Sequence, residues 1–393
     1  MRTRRGALVA AAATAVLAAV AVVIAVSLSG AAQNRSSKQT RADTTQRSQR
    51  AHPGTTQTAV RHRERATLRT SPLAQNLGQM IVARFTGAHP SQSFLARIRA
   101  GEVGGVILFS DNVSGGLTAA RALTAELQRA AREGNQPPLL IMTDQEGGEV
   151  KRLPGPPTLA PATMTSSAVA FAQGQATGRM LRSVGVNVDL APVADVERVA
   201  GSFLGTRSFG SNPAGVAQRA CAFAKGIASA HVAYTLKHFP GLGRATGNTD
   251  LGSVTVDAPA AELRADYQAY QTCAANPLAL IMVSSAIYPT LSGPLPAVMS
   301  PAIYHRELPM ATNGAPNVII SDDLQAPAIT RELAPARRSI TAGLDLAMYA
   351  QTEQASAAAY ATLLHEAKSG VLSTGRINAA ARAIVALKHH LAQ

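Results

Sequence analysis

The stretch AYTLKHFPGLGRATGNTD (233–250) decides how the chain folds. An apolar run passes directly into Lys237 and His238, then into a Gly-rich segment that closes on Asp250. A strand covered on both faces reads as a near-continuous apolar run rather than an alternating one, and that is the mark of a parallel sheet. Seven other runs share this form: MIVARF (80–85), GGVILF (104–109), LLIMTD (139–144), VNVDLAPV (186–193), LALIMVSS (278–285), NVIISDD (317–323) and LDLAMYA (344–350). Amphipathic segments such as LTAARALTAELQRAAREG and AGVAQRACAFAKGIASAH lie between them. Eight evenly spaced strand–helix units predict an α/β fold, a single closed (β/α)₈ barrel of the TIM type over residues 71–393; a doubly wound open sheet is the alternative.

The polar residues fall at the same place in each unit. Asp144 ends the third run, Lys237 and His238 the fifth, Asp322 and Asp323 the seventh. In such a barrel the C-terminal strand ends open on one face, so these charges are expected to converge there as a site. Cys221 and Cys273 fall in predicted helices that follow consecutive strands, and adjacent outer helices could bring them together in a disulfide. The His residues show no metal-ligand spacing, and no metal or cofactor is expected.

The chain of 393 residues carries a net charge of +14, unevenly spread. Residues 1 to 70 hold 12 Lys and Arg against two acids, which leaves 25 against 21 for the other 323. The basic excess belongs to a tail, and nucleic-acid binding is not expected. Three arginines precede 27 uncharged residues, Gly6 to Ala32, a pattern that reads as a membrane anchor or a cleaved signal peptide (1–32). No Cys stands near it for lipid attachment. Residues 33–70 are polar and basic, too poor in apolar groups to bury a core, and read as a disordered linker. The body is therefore expected to be exported, with a membrane contact only through the N-terminal segment.

Four motifs, IMTDQEGGEVKR (141–152), LGTRSFG (204–210), KHFPGLG (237–243) and IISDDL (319–324), resemble those of glycoside hydrolase family 3, in the same order. The resemblance is specifically to the single-barrel bacterial β-N-acetylglucosaminidases. AGLDLAMYA and STGRINAAARAIVALK look like that family's final strand and helix. The resemblance implies a retaining β-N-acetylhexosaminidase acting through a covalent glycosyl-enzyme, with Asp322 as nucleophile. It implies that Asp144, Arg152, Arg207, Lys237 and His238 line the sugar subsite. Lys237 would help keep Asp322 ionised, and Asp323, facing the other way on the strand, would be structural.

One element departs from the family. Its loop after the fifth strand carries an Asp-x-His pair, the His serving as general acid/base. Counting from Lys237, Asn248 stands where that Asp would be and Asp250 where the His would be, and Leu242 replaces a further His. Larger relatives take the acid from a second domain; here the residues after 350 are enough only for a last helix. Asp250 is therefore the expected acid/base, since two carboxylates are the common glycosidase pair. The partner is expected to be a carbohydrate: cell-wall fragments or other glycosides ending in N-acetylglucosamine. A catalytically inactive wall-glycan-binding relative and a β-glucosidase are the alternatives.

Overall fold

The structure is a computed structural model that describes residues 72–393. The anchor or signal reading for 1–32 and the linker reading for 33–70 lie outside the described residues. Among those described, no helix is long and apolar enough to cross a membrane.

All eight expected strands form: β1 (Ile81–Ala83), β2 (Gly105–Leu108), β3 (Leu140–Thr143), β4 (Val188–Asp189), β5 (Ala233–Phe239), β6 (Ala279–Val283), β7 (Val318–Ser321) and β8 (Ala347–Tyr349). They pair in parallel in sequence order, and β8 pairs back onto β1 with Ile81 opposite Ala347. The last seam, β7 to β8, is held by a bridge between Ile320 and Leu346; Leu346 N–H donates to Ile319 O at 2.9 Å and Ser321 N–H to Leu346 O at 3.0 Å. The ring is thus an eight-stranded, nearly closed barrel, as expected. Ile319 alone among the strand residues is not fully buried, which is why these runs carry no alternation.

Apart from β5, which fills its whole run AYTLKHF (233–239), the strands are shorter than the apolar runs that announced them. β4 keeps only two ladder residues because Pro192 has no N–H to donate; pairing resumes at Val193, opposite Lys237. Two helices, Glu353–Lys368 and Thr374–Ala392, follow β8 where one was expected.

Outer helices bury one stripe each. In Gly116–Glu133 the buried residues Ala120, Leu123, Leu127, Ala130 and Ala131 recur at helical spacing. Helices Ser167–Ser183 and Pro213–Ala228 approach so closely that a Cβ on Gly174 would lie 2.1 Å from Phe223 O; only glycine fits. The Pro213–Ala228 helix starts sharply, with Asn212 accepting from Gly215 N and Pro213 in the first turn. It carries Cys221, which is bonded to Cys273 at a Cα separation of 5.6 Å. The bond closes a 52-residue separation between the β4 and β5 units. On loop-closure entropy, replacing both cysteines with alanine is expected to cost about 4 kcal/mol, read as a lower urea midpoint that matches the reduced wild type.

Candidate active site

A cavity of about 400 Å³ opens at the C-terminal strand ends. All seven residues expected from the sequence border it: Asp144, Arg152, Arg207, Lys237, His238, Asp250 and Asp322. Apolar side chains from the barrel, Ile107, Leu190, Met282 and Met348 among them, form its floor.

Lys237 is the centre of the charged wall. Its Nζ lies 2.7 Å from Asp144 Oδ1 and 2.7 Å from Glu146 Oε1, with the lysine side chain 3% exposed. Glu146, fully buried, also takes both nitrogens of a bidentate Arg207, Nε and NH2, each at 2.8 Å. Arg152 approaches Asp144 Oδ2 at 3.6 Å and lies 5.1 Å from the Phe109 ring centroid. Burial alone would push the carboxyls of Asp144 and Glu146 up, but the surrounding cations hold both below the usual carboxylate range. The same carboxylates raise the Lys237 ammonium against burial. The wall is therefore a set of fixed ions, preorganised before any ligand arrives.

Lys237 and His238 are consecutive, yet both reach the cavity. In a regular strand one of them would face away. The β5–β6 register shifts between Leu236 and Phe239, and this irregularity turns both inward; the Lys237–His238 peptide is cis. His238 Nδ1 lies 2.8 Å from Asp195 Oδ2, whose side chain is fully buried.

Asp322 sits just past β7, with its Oδ1 accepting from Asp323 N at 2.8 Å. Burial raises its carboxyl above the usual value and the charge of Asp250 adds to this, while His238 and Lys237 act in the opposite sense. The expected help from Lys237 is present in direction, but burial outweighs it because the ammonium is already committed to Asp144 and Glu146. Asp323, expected to face away, also borders the cavity, but its carboxylate is taken up by the barrel. Its carboxylate accepts from Gln325 N at 3.0 Å, Ala350 N at 2.9 Å and Gln351 Nε2 at 2.9 Å, tying the end of β7 to the end of β8.

The loop after β5 is rooted firmly and ends exposed. Leu242 N donates to Asp195 Oδ1 at 2.8 Å, and Arg198 N donates to Gly243 O at 2.8 Å. A Cβ on Gly243 would fall 1.7 Å from Val196 O, so that position admits glycine alone. Asn248 accepts from Asp250 N at 2.9 Å, which sets the turn that brings the exposed Asp250 to the cavity.

Two buried acids escaped the sequence reading, although signals for both were present. Glu146 lies two residues past Asp144, hence on the same side of extended backbone. Asp195 lies two residues past the fourth apolar run, where the strand-end rule would have flagged it. Replacing Glu146 with alanine removes the bidentate partner of Arg207 and leaves Lys237 with Asp144 alone in a buried wall. Breaking such a pair is expected to cost about 3–5 kcal/mol of stability, checked by urea denaturation; an unchanged midpoint would show that the wall does not depend on it. Among the described residues, no group of three or more His, Cys, Asp or Glu side chains is arranged to hold a metal ion.

A barrel with a cavity at its C-terminal face, lined by carboxylates and fixed cations, has the form of a barrel enzyme's active site. The chain belongs to glycosyl hydrolase family 3, whose N-terminal domain profile matches residues 72–387, and is a glycosidase. It is 31% identical over 294 residues to the beta-hexosaminidase LpqI of Mycobacterium tuberculosis, covering 71% of this chain and 73% of that one. An uncharacterized secreted glycosyl hydrolase of Arthroderma benhamiae is 36% identical over 263 residues, 65% of this chain and 74% of the relative. The solved family 3 β-N-acetylglucosaminidase of Paenibacillus sp. FPU-7 superposes with a TM-score of 0.76 at 29% identity, over 82% of this chain and 63% of its own.

Proposed function

We propose that the chain is an exported, retaining β-N-acetylhexosaminidase that removes terminal β-linked N-acetylglucosamine from cell-wall fragments or other glycosides. The observation that carries this reading is the meeting of Asp322 and Asp250 at one cavity that Asp144, Lys237 and Arg207 also line, the last two held by the buried Glu146. Asp322 attacks the anomeric carbon as the bond to the aglycone oxygen breaks, and Asp250 gives that oxygen a proton. Water then delivers hydroxide to the anomeric carbon and its proton to Asp250, freeing Asp322. Asp144 accepts from sugar hydroxyls; Arg152, Arg207, Lys237 and His238 complete the subsite.

The named activities of the Mycobacterium and Paenibacillus relatives support the choice of sugar. The secreted Arthroderma relative, the Cys221–Cys273 bond and the apolar Gly6–Ala32 segment support export, with the membrane met through that segment. The test is release of nitrophenol from the N-acetylglucosamine and glucose glycosides by the purified chain. Turnover of the first well above the second is expected. The reverse preference would make the enzyme a β-glucosidase, and binding without release would make it a glycan-binding relative.

A further inference from the structure

The Asp195 carboxylate divides its two oxygens between two tasks. Oδ1 accepts from the backbone N–H of His238 at 3.1 Å and of Leu242 at 2.8 Å; Oδ2 faces His238 Nδ1 at 2.8 Å. An ionised carboxylate can only accept, so in the neutral ring the proton must sit on Nδ1. His238 borders the cavity, and Nε2 is its one other polar ring atom, away from the Nδ1 that Asp195 engages. Among the described residues no protein group is hydrogen-bonded to Nε2.

We propose that Asp195 is a positioning residue that presents His238 Nε2 to the cavity as a hydrogen-bond acceptor, and thereby makes the site select a sugar hydroxyl at that point. The inference rests on the glycosidase reading for its ligand, but its geometry stands on Asp195 and His238 alone. An acceptor lone pair held in a buried wall discriminates sharply. A hydroxyl donates to it, whereas a fluorine in the same place meets it as a second acceptor.

The substitution Asp195→Asn isolates this role, because the two oxygens do different work. The amide oxygen takes over the two backbone bonds of Oδ1, so the loop root stays anchored. The amide NH₂ replaces Oδ2 and donates to Nδ1, which moves the ring proton to Nε2 and turns the cavity-facing atom from acceptor into donor. Size and fold are preserved while the polarity of one atom is reversed.

The experiment has two arms. Nitrogen NMR of the full chain, with ¹⁵N-labelled histidine and the His238→Gln variant for assignment, reads the tautomer at alkaline pH. The wild type is expected to show Nδ1–H and Asp195→Asn to show Nε2–H. A wild-type ring protonated at Nε2, or at both nitrogens, overturns the proposal, and this reading needs neither activity nor the variant. The second arm compares kcat/KM for nitrophenyl N-acetylglucosaminides bearing fluorine in place of the 3-, 4- or 6-hydroxyl. At one position the ratio of hydroxyl to fluoro substrate is expected to fall by roughly tenfold on Asp195→Asn, the worth of one neutral hydrogen bond. Equal losses at all three positions would mean that Asp195 merely supports the fold, and overturn the proposal. If the wild type turns over no N-acetylglucosaminide at all, the functional reading fails while the tautomer still answers for Asp195.

Discussion

Asp322→Asn is expected to lower turnover by roughly 10⁴-fold or more, at least about 5 kcal/mol of transition-state stabilisation, while making the protein harder to unfold. Both effects come from one property. The carboxylate that we propose as the nucleophile is held in a buried site that raises its carboxyl above the usual value. The folded state therefore binds this proton more tightly than the unfolded chain does. Stability declines as pH rises through the interval between the ordinary aspartate value and the raised one. The amide carries no charge to bury and can still accept from Asp323 N, so the gain in denaturation midpoint should appear above that interval and vanish below it. A 2-fluoro glycoside should label Asp322 in the wild type. Label on Asp323 or Asp144 would overturn the assignment, as would a variant that keeps its activity. The acid limb of kcat/KM should correspondingly lie above the ordinary aspartate range, since protonated Asp322 cannot attack.

Asp250→Asn is expected to lower turnover of glycosides with poor leaving groups by about 10²–10⁴-fold and to spare activated aryl glycosides in the first step. A good leaving group departs without a proton, whereas an alkoxide needs one in the transition state. Azide, which needs no general base, should restore the variant on activated substrates by intercepting the glycosyl-enzyme, with glycosyl azide as product. A carboxylate that has given up its proton also repels an anionic acceptor, so hydrolysis should dominate in phosphate buffer. Equal activity of Asp250→Asn on every substrate, or glycosyl phosphate as the main wild-type product, would show that this loop does something else.

Much of this protein can be read along the chain. Eight apolar runs predicted eight strands in the right order, because a strand covered on both faces must be apolar at every position, and that requirement is local. The same locality placed Asp144, Lys237, His238 and Asp322 at strand ends, where a barrel gathers them whatever their separation in sequence. The resemblance to the family, rather than locality, singled out Asp250 in the loop after β5.

Partnerships were another matter, and they belong to the tertiary structure. Lys237 meets Asp144 across 93 positions of sequence, and Asp195 meets His238 across 43. No pattern along the chain records that Glu146 holds both Lys237 and Arg207, or that burial outweighs Lys237 at Asp322; the Cys221–Cys273 bond, by contrast, follows the expectation from consecutive strand–helix units. Coulomb attraction, desolvation and hydrogen bonding depend on distance through space, and closing the barrel is what sets those distances.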